Sequence, residues 1–347
     1  MSIDEQFMDR CLTLAKLGAG TVSPNPMVGA VLVYEGIIIG EGFHGKFGGP
    51  HAEVNCINNV SKENQELISK STLYVSLEPC SHFGKTPPCS HLIIHHKIKK
   101  VVIGCTDIFK EVSGKGIAQL SDAGIEVVTG VLERQCMELN RRFFCFHEKK
   151  RPYIILKWAQ SFNSKIGAIS GERILISNDY SNRLVHKWRS EEDAILIGTK
   201  TALNDDPNLT TRLWNGKNPV RVVIDIDLKL PSSLKVFNDA SPSIIFNNFK
   251  NEKQGNIQFI KIEGNDFLFF LLQSLYNLNI QSVIIEGGTK TLQSFIDAGL
   301  WDETRVIINT ELNILEGVDA PELKDGELET TEAFFTDLIH FYKRTER

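Results

Sequence analysis

Residues 72–89 read TLYVSLEPCSHFGKTPPC, and the fold of the first half of the chain turns on how that stretch divides. Thr72–Leu77 has the β-branched and aromatic content of a strand, and Glu78-Pro79-Cys80 ends it. Cys89 comes after Pro87-Pro88, and upstream His51-Ala52-Glu53 follows the breaker Gly48-Gly49-Pro50, after which a helix can start. One imidazole and two thiolates give Zn²⁺ three protein ligands, His51, Cys80 and Cys89, and leave its fourth tetrahedral position open, as catalytic rather than structural sites do. If Cys80 and Cys89 both begin helices, the partial positive charge there favours their thiolates. Glu53, two residues from the histidine, is badly placed as a fourth ligand and well placed to move protons.

Outward from this stretch, strands and helices alternate. Phe7, Met8, Cys11, Leu12 and Ala15 repeat at helical spacing. Val28–Tyr34 and Gly36–Gly40 read as strands, as do Val101–Cys105 and Ile125–Val128, with a short helix over Gly116–Ala123. A charged run, His147 to Arg151, precedes Pro152, after which the alternation begins again. The later strands are expected at Tyr153–Trp158, Ala194–Gly198, Val220–Ile226, Ser243–Phe246, Ile257–Ile262, Ser282–Glu286 and Thr304–Ile308. Helices are expected at Asp179–Ser190, Asp266–Leu278 and Thr289–Ala298. This pattern predicts α/β architecture in two domains, 1–147 and 148–347.

The totals agree with two soluble domains: 347 residues, 42% hydrophobic and 23% charged. A net charge of -5 argues against a nucleic-acid ligand, which is usually met by a basic surplus. Met1–Arg10 lacks the apolar core of a signal peptide, and no run of apolar residues is long enough for a membrane span. Seven scattered cysteines cannot all pair within the chain, so a reducing cytoplasm is expected, where cysteines serve metals more often than disulfides.

A His-x-Glu followed by Pro-Cys is the pattern of zinc nucleobase deaminases, in which two residues usually separate the cysteines. Here eight do. With Thr21-Val22-Ser23-Pro24-Asn25-Pro26-Met27-Val28-Gly29 and Gly42-Phe43-His44, the segments His51–Glu53 and Glu78–Cys89 resemble the bifunctional deaminase–reductases of riboflavin biosynthesis, where the longer gap is the rule. The resemblance covers essentially the whole chain. It implies a cytidine-deaminase-like α/β/α sandwich followed by a dihydrofolate-reductase-like α/β domain, one zinc ion, NADPH and a homo-oligomer. It also implies the substrate, 2,5-diamino-6-ribosylamino-4(3H)-pyrimidinone 5′-phosphate, which would lose its 2-amino group to zinc-activated water with Glu53 shuttling protons. Asn25, His44, His82 and Lys85 would line that pocket.

The second half lacks the Gly-x-Gly-x-x-Gly fingerprint of dinucleotide folds. It offers Val283-Ile284-Ile285-Glu286-Gly287-Gly288-Thr289, a strand running through glycines into a helix whose free amides suit an anion. The resemblance adds Thr201–Arg212 and the Lys-x-x-x-Ser stretch Lys157–Ser161. It implies cofactor contacts from Ala159, Thr201, Asp205 and the run Gly288, Thr289, Lys290, Thr291, Leu292, Gln293 and Ser294. It implies substrate contacts from Arg189, Leu209, Arg212 and Glu286, with the two arginine forks meeting a sugar phosphate. NADPH would then reduce the ribosyl carbon to a ribityl chain.

Departures from the family pattern fall at Asp107-Ile108-Phe109-Lys110, at Asn163-Ser164 in place of Asp-Gly, at Leu175 in place of a tryptophan and at Arg173 in place of a small polar residue. They leave open a deaminase whose second domain is inactive or repurposed. A nucleoside or RNA deaminase, and a scaffold with a structural zinc, are the other readings weighed; the cysteine gap opposes the first and the intact Glu53 the second.

Overall fold

The structure, a computed structural model, describes residues 1–83, 87–108, 114–170 and 172–345. The chain forms two compact units, Met1–Lys149 and Lys150–Arg347.

The first unit runs α1 (Ile3–Ala15), β1 (Gly29–Tyr34), β2 (Ile37–Phe43), α2 (Ala52–Asn58), β3 (Thr72–Leu77), α3 (Cys89–His95), β4 (Lys100–Cys105), α4 (Lys115–Asp122), β5 (Glu126–Thr129), α5 (Glu133–Leu139) and α6 (Arg141–Lys149). Among the described residues its strands form one sheet in the order β2-β1-β3-β4-β5. β1 and β2 make an antiparallel hairpin, whereas β3, β4 and β5 are parallel and need helical crossovers. Along β3 the side chains alternate: Leu73 and Val75 enter a core with Ala52, Cys56, Ile93 and Leu120, while Tyr74 enters one with Met8, Leu12 and Phe144. Helices α2, α3 and α4 therefore cover one face and α1, α5 and α6 the other, giving the expected α/β/α sandwich. The helix starts on one face gather at the end of the sheet where β3 stops.

The approach of α2 to the sheet depends on Gly42. A Cβ there would lie 2.2 Å from the Cys56 nitrogen and 2.6 Å from the Ala52 oxygen, so only glycine lets the helix backbone settle on β2.

The second unit contains β6 (Tyr153–Ser161), β7 (Lys165–Ala168), α7 (Asp179–Glu191), β8 (Ala194–Gly198), α8 (Thr199–Asp205), β9 (Val220–Ile224), β10 (Ser243–Asn247), β11 (Glu252–Gln254), β12 (Ile257–Lys261), α9 (Phe267–Asn277), β13 (Ser282–Ile285), α10 (Thr289–Asp297), β14 (Glu303–Asn309), β15 (Gly317–Asp319), β16 (Gly326–Phe334) and β17 (Asp337–Arg344). Its large sheet has the order β11-β12-β10-β9-β8-β13-β6-β14-β17-β16, parallel from β12 to β14 and antiparallel at both margins. The parallel strands are apolar on both faces, and Leu271, Leu275, Leu292 and Phe295 of α9 and α10 pack on one of them. Among the described residues no helix is long and apolar enough to cross a membrane.

Gly42→Ala is expected to destabilise the chain by about 1–3 kcal/mol or more. Denaturant unfolding measures this, and the variant should also hold zinc less well because α2 carries His51 at its start.

Candidate active site

Three sequence-distant residues meet where β3 ends. His51 is the N-cap of α2, Cys89 is the first residue of α3, and Cys80 lies three residues beyond β3. His51 Nδ1 is 3.5 Å from Cys80 Sγ and 3.4 Å from Cys89 Sγ, and the three donor atoms lie within 4.8 Å of one another. Bond lengths of about 2.0 Å to nitrogen and 2.3 Å to sulfur give a tetrahedral N–S edge of about 3.5 Å, so the cradle fits zinc. Among the described residues this is the group of three His, Cys, Asp or Glu that could hold a metal. Of the two cysteines, Cys89 begins a helix and Cys80 does not. Its sulfur is served instead by the first turn of α3, accepting from the Cys89 backbone N–H at 3.3 Å. The Cys89 thiol and His51 push the Cys80 thiol down to about 4 against its burial, and Cys89 is pushed up by Cys80 and by burial.

Glu53 sits in the first turn of α2, 3% exposed, with its carboxyl against the Cys89 thiol. Burial first, and then Cys80, push it up to about 7. His44 is buried, and its Nδ1 is 2.9 Å from the Pro50 carbonyl, which fixes that nitrogen as the donor. Nε2, 3.1 Å from Asn25 Nδ2, is then the acceptor, so His44 orients the Asn25 amide. His82 is exposed two residues past Cys80. Lys85, and Phe109 and Lys110 of the departing segment, lie outside the described residues.

In the second unit, Glu286 directly follows β13. It takes a two-pronged bond from Arg189 of α7, Nε and Nη2 each at 2.8 Å, with Lys157 Nζ of β6 at 3.6 Å. Their side chains are largely shielded, 8–13% exposed. Burial opposes charge on Glu286, but Arg189, Lys157 and His186 outweigh it and hold the carboxyl at about 2. Burial also lowers Lys157, and it takes His186 down to about 4, with Arg189 and Arg212 contributing. Lys157, which the sequence placed only in a motif, is thus at the heart of this cluster.

Because Arg189 gives its fork to Glu286, the convergence of two arginines on a phosphate is not what the side chains show. The exposed Arg212 is the freer guanidinium, its backbone N–H held by His186 Nδ1 at 2.9 Å. Arg173 is exposed, and its charge acts on both Asp205 and Arg212. Leu209 is buried at a φ of +53°.

Thr201 Oγ1 accepts from the Gly288 N–H at 3.0 Å, joining the starts of α8 and α10 at the ends of adjacent strands β8 and β13. Ala159 lies on β6, and Asp205 ends α8. Thr289, Lys290, Thr291, Gln293 and Ser294 fall in the first turns of α10. Leu292 faces the core with no exposure, so its side chain is unavailable to a cofactor. The turn at Asn163-Ser164 survives its change of residues: Ser164 adopts a φ of +59°, where glycine is expected, and Asn163 Oδ1 accepts from Ser161 Oγ and the Ile314 N–H. Leu175 is 75% exposed.

Residues 1–105 match the cytidine and deoxycytidylate deaminase zinc-binding region, and residues 152–327 match the RibD C-terminal domain. The riboflavin biosynthesis protein RibD of Aquifex aeolicus is 39% identical over 99% of both chains, and that of Bacillus amyloliquefaciens 38% over 94% of this chain and 89% of the other. The chain belongs to the RibD family. The crystal structure of a diaminohydroxyphosphoribosylaminopyrimidine deaminase/5-amino-6-(5-phosphoribosylamino)uracil reductase from Thermotoga maritima superposes with a TM-score of 0.91 at 35% identity, covering 99% of each chain. Acinetobacter baumannii RibD gives 0.90 at 30% identity with the same coverage. The chain is therefore a bifunctional enzyme of riboflavin biosynthesis, a zinc-dependent deaminase joined to an NADPH-using reductase.

Glu286→Ala leaves Arg189 and Lys157 buried without their counter-charge. It is expected to cost about 3–5 kcal/mol, read as a fall in the denaturant midpoint.

Proposed function

We propose that the chain hydrolyses 2,5-diamino-6-ribosylamino-4(3H)-pyrimidinone 5′-phosphate at its 2-amino group and then reduces the ribosyl chain of the product, 5-amino-6-(5-phosphoribosylamino)uracil, to ribityl. The observation that carries the reading is the three-donor cradle of His51, Cys80 and Cys89 with the buried Glu53 beside it, on a chain similar over its full length to a Thermotoga protein described by those two activities. The deaminase is assigned to 1–147 and the reductase to 148–347.

Zinc held by His51, Cys80 and Cys89 supplies the Lewis acidity that brings the pKa of water toward neutrality. Glu53 takes the proton from the attacking water and delivers it to the departing amine, and ammonia leaves. Its burial keeps the proton from bulk solvent. Asn25, held by His44, presents its amide to the ring, and His82 and Lys85 are assigned to the same substrate through the family likeness.

Bound NADPH would supply the hydride for reduction at C1 of the opened ribose, with the balancing proton from solvent. Thr201, Asp205, Ala159 and the start of α10 from Gly288 to Ser294 hold the cofactor, with Leu292 contributing only backbone. Arg212 meets the substrate phosphate, and Leu209, Arg189 and Glu286 shape the ribosyl end. The protein's part is placement of the reacting carbon against the nicotinamide. Arg173 adds a positive charge beside Arg212, and the retained turn at Asn163-Ser164 supports a working reductase over a silent one.

The substrate is a small molecule. A cytoplasmic setting is supported by seven free cysteines, and a homo-oligomer by the exposed apolar side chains of Ile37 and Ile38 on the edge strand β2.

A two-signal assay on zinc-replete protein tests the whole: ammonia release from the diaminopyrimidine, then NADPH oxidation once cofactor is added. Glu53→Gln should keep zinc and lower ammonia release by about 10²–10⁴-fold; loss of the metal would instead make Glu53 a ligand. Arg212→Ala should raise the reductase KM by about 10–100-fold, the loss of one charge-assisted contact, with ammonia release unchanged. An equal fall in both activities would contradict the division of labour.

A further inference from the structure

Helix α4 supplies no donor to the zinc cradle, yet its contacts lead to both cysteines. Glu78, two residues before Cys80, is buried, and its two carboxylate oxygens accept four backbone N–H groups. Oε1 takes Gly116 at 2.9 Å and Ile117 at 3.3 Å, and Oε2 takes Gly114 at 3.0 Å and Asp107 at 3.2 Å. Three of these belong to the first turn of α4, whose N-cap residue, Gly114, has no side chain to offer. A helix start leaves backbone donors unpaired and favours negative charge. The missing cap is thus supplied from the end of the strand that leads to Cys80.

The fit is close. A Cβ on Gly116 would stand 2.1 Å from the Pro79 oxygen, so the helix backbone rests on the peptide just before Cys80. Gln119, one turn further along α4, reaches the other sides of the cradle. Its Oε1 accepts from Ser90 Oγ at 2.7 Å, and its Nε2 lies 3.5 Å from the Ser81 carbonyl. Ser81 follows Cys80 and Ser90 follows Cys89. The two segments are also joined directly, Ser90 N–H donating to the Cys80 carbonyl at 3.2 Å.

We propose that α4 is the outer shell of the zinc centre, with Glu78 and Gln119 as positioning residues that hold the two thiolates at metal spacing. The proposal rests on zinc being held by His51, Cys80 and Cys89. Neither residue touches the ion or the substrate. If the cysteines are ordered beforehand, binding energy is not spent on ordering them when the metal enters. Removing such outer partners typically lowers metal affinity by about 10–100-fold.

The experiment is zinc affinity of the full chain, by competition with a chromophoric chelator, alongside the thiolate-to-metal absorption of the Co²⁺-substituted protein. Far-UV circular dichroism and the denaturant midpoint of each full-length variant serve as the check on folding. Gln119→Leu should weaken zinc by about tenfold or more and Ser90→Ala by less, and the double variant should be no weaker than Gln119→Leu alone, because the Ser90–Gln119 bond is already lost there. Gln119→Glu keeps an acceptor for Ser90 and should restore most of the affinity, which a merely destabilised helix would not do. Glu78→Gln turns an amide donor toward the helix start and should fall toward the lower end of that range; if it does not fold, the Gln119 series decides. Wild-type affinity in Gln119→Leu would overturn the brace while leaving the zinc site intact. Failure of the unaltered chain to take up zinc would overturn the zinc reading itself.

Discussion

The separation of two sulfurs governs the first unit. Eight residues separate Cys80 and Cys89 in the chain, yet a single ion must meet both, together with an imidazole from another helix. The parallel pairing of β3 with β4 forces a crossover, and the crossover places Cys89 at the start of α3 beside the end of β3. The antiparallel hairpin of β1 and β2 brings α2 onto the same face, where Gly42 admits it closely enough for His51 to join. Glu53 comes with that placement, in the first turn of the helix that His51 caps and with its carboxyl against Cys89.

The second unit solves a different electrostatic problem with the same architecture. Three charged side chains, Lys157 within β6, Arg189 on α7 and Glu286 just past β13, meet largely out of contact with solvent. Each would be costly alone, and the Arg189–Glu286 fork with Lys157 beside it offsets that cost. The glycines at 287 and 288 carry no side chain that would cover this corner. The starts of α8 and α10 adjoin it, linked by the Thr201–Gly288 hydrogen bond.

Much of this was legible in the residues. The strand Thr72–Leu77 and the helix at Asp179 were readable because periodicity and capping residues agree there with tertiary structure. Helices α2 and α3 were harder, being seven residues each and starting on ligands rather than ordinary caps. The hairpin β16–β17 was missed because β16 is exposed along nearly its whole length and shows no apolar alternation. Gln119 carried no signal at all, since a glutamine in an amphipathic helix looks like a solvated one. Arg189 and Glu286 were placed near the substrate through family likeness, but their mutual pairing depends on three-dimensional proximity between residues 97 apart. The loss of Asp-Gly at Asn163-Ser164 looked disruptive in sequence, whereas asparagine keeps the acceptor and serine accepts the left-handed backbone.

The most direct test of the account is X-ray absorption at the zinc edge of the purified chain. Two sulfurs at about 2.3 Å, one imidazole nitrogen and one further light atom at about 2.0 Å would match a three-ligand centre with an open position. A third sulfur, or a second imidazole filling that position, would make the site a closed structural one and contradict the assignment of Glu53 to proton transfer.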